Sequence, residues 1–148
     1  NYGISADVVQ NCVGTSTESG GGSGVGIFGH DAAENCYGFG PNIGVDTYFA
    51  ALNCFGESPS GIGLRATEAA TNCFGISSGA SAGISAGNAS NCRGQSSGSG
   101  TGLVAAYTAS YCSGVSNSGT GVSATIAIGC TASSISATYK YLMPGGLP

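Results

Sequence analysis

The residues best equipped for chemistry in this chain are seven cysteines, Cys12, Cys36, Cys54, Cys73, Cys92, Cys112 and Cys130. Thiolates bind metals, but a metal site wants closely spaced cysteines or neighbouring histidines. No Cys-x-x-Cys occurs, and His30 is the sole histidine. A nucleophilic thiol needs a neighbour that lowers its pKa, whereas a thiol buried among apolar groups has its pKa raised and is inert. The carboxylates are Asp7, Asp31, Asp46, Glu18, Glu34, Glu57 and Glu68. Glycoside hydrolysis would require two of them facing one bond across a cleft. His30-Asp31, in the longest segment between cysteines, is the one place where an acid and a base adjoin, and it reads as a solvated loop. The expectation is a chain with no catalytic residue, no metal and no cofactor.

The spacing of the cysteines carries more than their reactivity. Successive steps are 24, 18, 19, 19, 20 and 18 residues. A phrase recurs around them: Ala33-Glu34-Asn35-Cys36-Tyr37-Gly38, Ala51-Leu52-Asn53-Cys54-Phe55-Gly56, Ala70-Thr71-Asn72-Cys73-Phe74-Gly75, Ala89-Ser90-Asn91-Cys92-Arg93-Gly94 and Ala109-Ser110-Tyr111-Cys112-Ser113-Gly114. Asn11-Cys12-Val13-Gly14 is an earlier copy and Cys130-Thr131-Ala132 a degraded one. A second phrase follows each cysteine, as in Gly63-Leu64-Arg65-Ala66, Gly83-Ile84-Ser85-Ala86 and Gly121-Val122-Ser123-Ala124, and it also opens the chain as Gly3-Ile4-Ser5-Ala6. A period this short suits one coil of a β-helix and is too brief for helix-pair repeats of about 33 residues or more.

Composition agrees. Twenty-eight glycines among 148 residues would dismantle helices, since each costs about 1 kcal/mol relative to alanine in a helix interior. They suit corners between short strands. The fold expected is all-β: a single-domain parallel β-helix, or β-solenoid, spanning 1–148, with about seven coils of 18–20 residues and a longer first coil. Residues 1–8 form a partial first coil, and 127–148 an atypical terminal coil and tail. Alternation along a strand sends Cys54, Gly56 and Ser58 inward, with Phe55 and Glu57 outward. The next strand is expected to begin at Leu64, with Leu64 and Ala66 inward and Arg65 outward. The core is therefore narrow and flattened, built of Cys, Ala, Gly, Ser and one Leu/Ile/Val site per coil. Seven coils at about 4.8 Å spacing give a rod of about 35 Å.

Stacking equal coils turns each position into a row. Asn11, Asn35, Asn53, Asn72 and Asn91 sit at a corner, where asparagine tolerates left-handed backbone and its amide can bond the amide one coil away. The seven cysteines form a buried ladder of reduced thiols, because parallel side chains point the same way and seven is odd. Asp46 falls beside Arg65 as a surface ion pair, contributing about 0–1 kcal/mol. Asn88-Ala89-Ser90 is a formal glycosylation acceptor, as frequent by chance as by design. Outward rows bring Tyr37, Phe39, Phe55, Phe74 and Ile76 together as an apolar patch, with Arg93 placed for a cation–π contact on Phe74. Such a patch is a candidate interface, unless the glycine-rich stretch Ser19 to Gly26 covers it. At the ends, Asn1, Tyr2 and Ile4 open on a coil already half written, without a cap. Tyr139, Tyr141, Leu142 and Met143 lead into a tail containing Pro144 and Pro148. Unlike ends that add head to tail generate a filament.

With three basic residues against seven acidic and a net charge of −4, no positive stripe exists to hold nucleic acid. No apolar run approaches a membrane-spanning length and no signal peptide is visible, so membrane insertion is not expected.

The repeat A-x-N-C-x-G-x-S…G-[LIV]-x-A, closed by Ser136-Ala137-Thr138-Tyr139-Lys140-Tyr141, resembles right-handed parallel β-helix domains, broadly pectin-lyase-like in shape, of secreted and cell-surface bacterial proteins. The resemblance covers nearly the whole chain. It implies a right-handed coil, an extracellular or cell-surface location, and a structural or adhesive role. No cluster here matches the acidic and basic residues that polysaccharide lyases of that shape use. The expected function is a structural subunit whose main partner is itself. The alternative is an adhesin that grips polysaccharide, or an ice-binding face. The row Ser5, Phe28, Asp46, Arg65, Ser85, Val104, Ser123 is too irregular to favour ice.

Overall fold

The computed structural model describes residues 1–18 and 24–141. All regular structure among them is β, in sixteen strands. The longer sheet stacks Tyr2–Gln10, Val25–Glu34, Ile43–Thr47 with Ala50–Leu52, Ile62–Thr71, Ile84–Ser90, Leu103–Ser110, Val122–Ile128 and Ile135–Tyr141. The second stacks Val13–Thr15, Tyr37–Phe39, Phe55–Ser58, Phe74–Ser77, Arg93–Ser96, Ser113–Ser116 and Thr131–Ala132. Every pairing is parallel and joins a coil to the one before or after it. This is a single-domain β-solenoid of about seven coils.

Alternation explains which side chains fill it. Cys54, Gly56 and Ser58 are buried, while Phe55 and Glu57 are half-buried on the outside. Three apolar columns run along the rod: Ile27, Val45, Leu64, Ile84, Leu103 and Val122; Ala33, Ala51, Ala70, Ala89, Ala109 and Ala127; and the cysteines. Between the columns the two sheets meet backbone to backbone. A Cβ placed on Gly75 would lie 2.1 Å from the Gly83 carbonyl oxygen, and one on Gly56 the same distance from that of Gly63. The recurring glycines therefore set the thickness of the coil as well as its corners.

Each cysteine follows a left-handed corner. Asn11, Asn35, Asn53, Asn72 and Asn91 have φ of 51–53°, as does Tyr111, which replaces asparagine one coil later. The Asn35 side-chain amide donates to Asn11 Oδ1 at 3.3 Å, and that of Asn53 to Asn35 Oδ1 at 3.1 Å. In the last coil Gly129, at φ 58°, makes the corner.

The strand expected to begin at Leu64 begins at Ile62 and continues to Thr71. It survives because a bulge, with register shifts near Ala66–Ala69, absorbs the break in alternation. There Thr67 and Glu68 both face solvent although adjacent. Bulges bend a strand in this way without ending its pairing.

One core position departs from the pattern. Thr47 occupies the inward site held by Ala66 in the next coil, is fully buried, and its hydroxyl has no partner. A buried unsatisfied hydroxyl costs about 1–3 kcal/mol. Thr47→Val keeps the shape and removes the orphan, so it is expected to stabilise the chain by about 1 kcal/mol. A urea titration would show a raised midpoint at unchanged slope; a lowered midpoint would mean that the hydroxyl is satisfied.

Candidate functional site

The second sheet carries the aromatic row on its outer face. Val13, Tyr37, Phe55, Phe74, Arg93, Ser113 and Thr131 are in register from coil to coil. Tyr37 and Phe55 ring centroids are 5.2 Å apart, and Phe55 and Phe74 lie stacked at 5.0 Å with planes 7° apart. The Arg93 guanidinium carbon lies 5.2 Å from the centre of the Phe74 ring. Phe39, Glu57, Ile76, Gln95 and Val115 form the neighbouring outward row. The Tyr37 hydroxyl donates to Glu57 Oε2 at 3.2 Å, and burial together with the Glu57 carboxylate raises the phenol's pKa.

This geometry limits what the row can do. Phe55 and Phe74 turn their faces to each other and Arg93 takes the far side of Phe74, so a ligand meets mainly ring edges. The stack holds neighbouring coils together, at about 0.5–1.5 kcal/mol per aromatic pair. Of the stretch from Ser19 to Gly26 that might have covered the row, Ser19–Ser23 lie outside the described residues. Gly24, Val25 and Gly26 are buried in the coil itself.

The opposite sheet carries an aromatic cluster that the repeat did not reveal. Tyr2 and Phe28 centroids are 5.0 Å apart, Phe28 and Tyr48 are edge-on at 5.5 Å, and His30 is edge-on to Tyr48 at 5.3 Å. Tyr48 lies at the break between Ile43–Thr47 and Ala50–Leu52, where strict repeat alignment says little about direction. His30-Asp31, read as a loop, lies instead in the strand Val25–Glu34, at its outward bend. Its Nδ1 is 2.9 Å from Asp31 Oδ1, and both side chains are 54% exposed.

The Asp46–Arg65 pair also differs from expectation. It forms as a fork, Nε to Oδ1 at 2.8 Å and Nη2 to Oδ2 at 2.7 Å. Asp46, however, is 5% exposed against 43% for Arg65, because it lies in register between Phe28 and Arg65. The pair is not an ordinary surface contact: losing Arg65 would leave a buried carboxylate unpaired. The Asp46 hydrogen bonds raise the pKa of the arginine, against the opposing effect of its burial.

All seven thiols are free, and all but Cys12 are buried. Cys12 is half-buried because it is the first rung, covered on one side only among the described residues. The sulfurs of Cys36, Cys54, Cys73, Cys92 and Cys130 each sit near two carbonyls. Cys73 Sγ is 3.2 Å from the Thr71 oxygen and 3.4 Å from that of Ala51, one coil away. Burial pushes the Cys36 thiol up, and the neighbouring thiols of Cys54 and Cys92, with burial, push Cys73 up. The ladder braces the left-handed corner through contacts between its sulfurs and backbone carbonyls. Among the described residues, no three His, Cys, Asp or Glu side chains lie together as a metal site would require.

Among the described residues, the apolar columns are less covered at their outermost members. Ile4 and Cys12 at one end, and Ile135 and Ala137 at the other, are only partly buried where their counterparts inside the rod are covered. Asn1 is exposed, as are Tyr2, Tyr139 and Tyr141. Leu142 and Met143, with Pro144 and Pro148, lie outside the described residues.

The class that fold and surface define is a parallel β-solenoid with an aromatic group on each of its two sheets. Comparison with protein-family models, curated proteins and solved structures returned no match.

Proposed function

We propose that this chain is a non-enzymatic structural subunit that adds head to tail into a filament. The observation that carries this reading is the match between its unlike ends. Among the described residues, Ile4 and Ile135 are the outermost members of one column, and Cys12 and Cys130 the outermost rungs of the ladder. Placing one rod on another would continue both columns, while the outer edge of Tyr2–Gln10 would receive the backbone groups of Ile135–Tyr141. Exposed strand edges template this addition, and a contact between unlike surfaces repeats without closing. The setting proposed is extracellular or cell-surface, following the resemblance to secreted bacterial β-helix domains, with their right-handed, pectin-lyase-like shape. Self-association makes a second copy the main partner.

Lysines on an edge strand oppose pairing. Val8 is 52% exposed on the first strand of the longer sheet, and Tyr139 is 56% exposed on the last. Head-to-tail addition predicts that the sedimentation coefficient of the unaltered chain grows with concentration; Val8→Lys combined with Tyr139→Lys is expected to keep the fold, checked by circular dichroism, and to abolish that growth. Equal sedimentation of both proteins at every concentration would overturn the proposal.

A further inference from the structure

Where the longer sheet bends, the coils are not all alike. The paired positions Ala66 and Ala69 flank two corner residues, whereas their partners Ala86 and Asn88 flank only Gly87. On the other side Ala105 and Ala109 are separated by one residue more than their partners Ala86 and Ala89. The corner of this one coil is thus indented relative to both neighbours, which leaves a groove of about 340 Å³. Gly87 lies buried at its base; a Cβ there would meet the Thr67 and Glu68 carbonyl oxygens at 2.5 Å. Thr67 and Arg65 form one wall and Tyr107, 65% exposed, the other, with Ser85 between them.

We infer that this groove is a binding site for one ring of a neutral glycan. Its volume is at the small end for a ligand pocket. Tyr107 supplies an aromatic surface with no aromatic neighbour in register: Thr67–Glu68 and Gly87 are the corners on one side and Thr125 is the corner on the other. That separates it from the ringed face on the opposite sheet. Ser85 and Thr67 offer hydroxyls that both donate and accept. Arg65 spends Nε and Nη2 on Asp46, leaving Nη1 to donate to a ligand. Because Asp46 balances that guanidinium and Glu68 stands on the same corner, the groove offers donors without net positive charge. This chemistry fits a polyol better than a carboxylate or a phosphate. The inference is independent of end-to-end assembly, since the groove lies at mid-rod.

The test is titration of the full chain with cellohexaose, chitohexaose and mannohexaose at millimolar concentration, followed by amide chemical shifts. The expected result is a saturable shift with at least one of them, centred on Arg65, Thr67, Ser85, Gly87 and Tyr107. Tyr107→Ala should retain the unfolding midpoint and weaken binding by roughly tenfold or more. Tyr111→Asn, which restores the repeat's own residue at an exposed corner elsewhere, should leave binding unchanged. No saturable shift with any of the three sugars, or an unaltered affinity in Tyr107→Ala, would overturn the assignment.

Discussion

Gly75→Ala is expected to be among the most damaging single-methyl changes in this chain, destabilising it by about 3 kcal/mol or more. The added Cβ would sit 2.1 Å from the Gly83 carbonyl oxygen, 2.6 Å from Ile84 Cγ1 and 2.8 Å from the Gly83 carbonyl carbon. None of these can give way cheaply. The Gly83 oxygen accepts from Leu64 N at 3.0 Å, while Gly83 N donates to the Thr101 oxygen and Ile84 N to the Gly102 oxygen. Moving that backbone therefore breaks bonds in the adjoining coils. In a solenoid each coil is stabilised by its neighbours, so a defect at mid-rod divides the stack into two short halves. Urea unfolding followed by circular dichroism would measure the loss. Ser78→Ala, an exposed change nearby, should stay within about 0.5 kcal/mol of the unaltered chain. A Gly75→Ala protein as stable as that control would show that the sheets are not in contact at this column.

Leu64→Ala is the second large effect, with an expected cost of about 2–5 kcal/mol. Leu64 is 0% exposed and lies between Val45 and Ile84 in the central column. The glycine contacts that set the coil's thickness also prevent its collapse around a cavity, which places the cost in the upper part of that range. Position along the rod should matter. Ile4 and Ile135 hold the same column at its ends but are only partly buried, so alanine there should cost the dispersed chain about 1 kcal/mol. Equal losses at Ile4 and Leu64 in dilute solution would contradict the lower burial of Ile4.

Much of this architecture was legible because a solenoid makes each row visible as a repeat. The inward set of Cys54, Gly56, Ser58, Leu64 and Ala66, the left-handed asparagines, the Tyr37–Phe55–Phe74 row and the Arg93 contact all follow from period-two alternation combined with in-register stacking. What escaped lies where one coil departs from the next. Tyr48 reaches Phe28 and His30 from an irregular break, and Gly87 indents a corner through the loss of one residue; neither is visible in a pattern averaged over coils. The burial of Asp46 escaped for a related reason. Its place opposite Arg65 was readable, but its exposure depends on Phe28 in the preceding coil, a residue found nowhere else in that row. Likewise the glycines were read mainly as corner formers, whereas their closest contacts run across the coil, which no one-dimensional period encodes.

Electron microscopy of the purified full chain across a concentration series tests the assembly claim most directly. Head-to-tail addition predicts filaments that lengthen with concentration and repeat axially at about 35 Å, the height of about seven strand spacings. Short, dispersed rods at every concentration would contradict it.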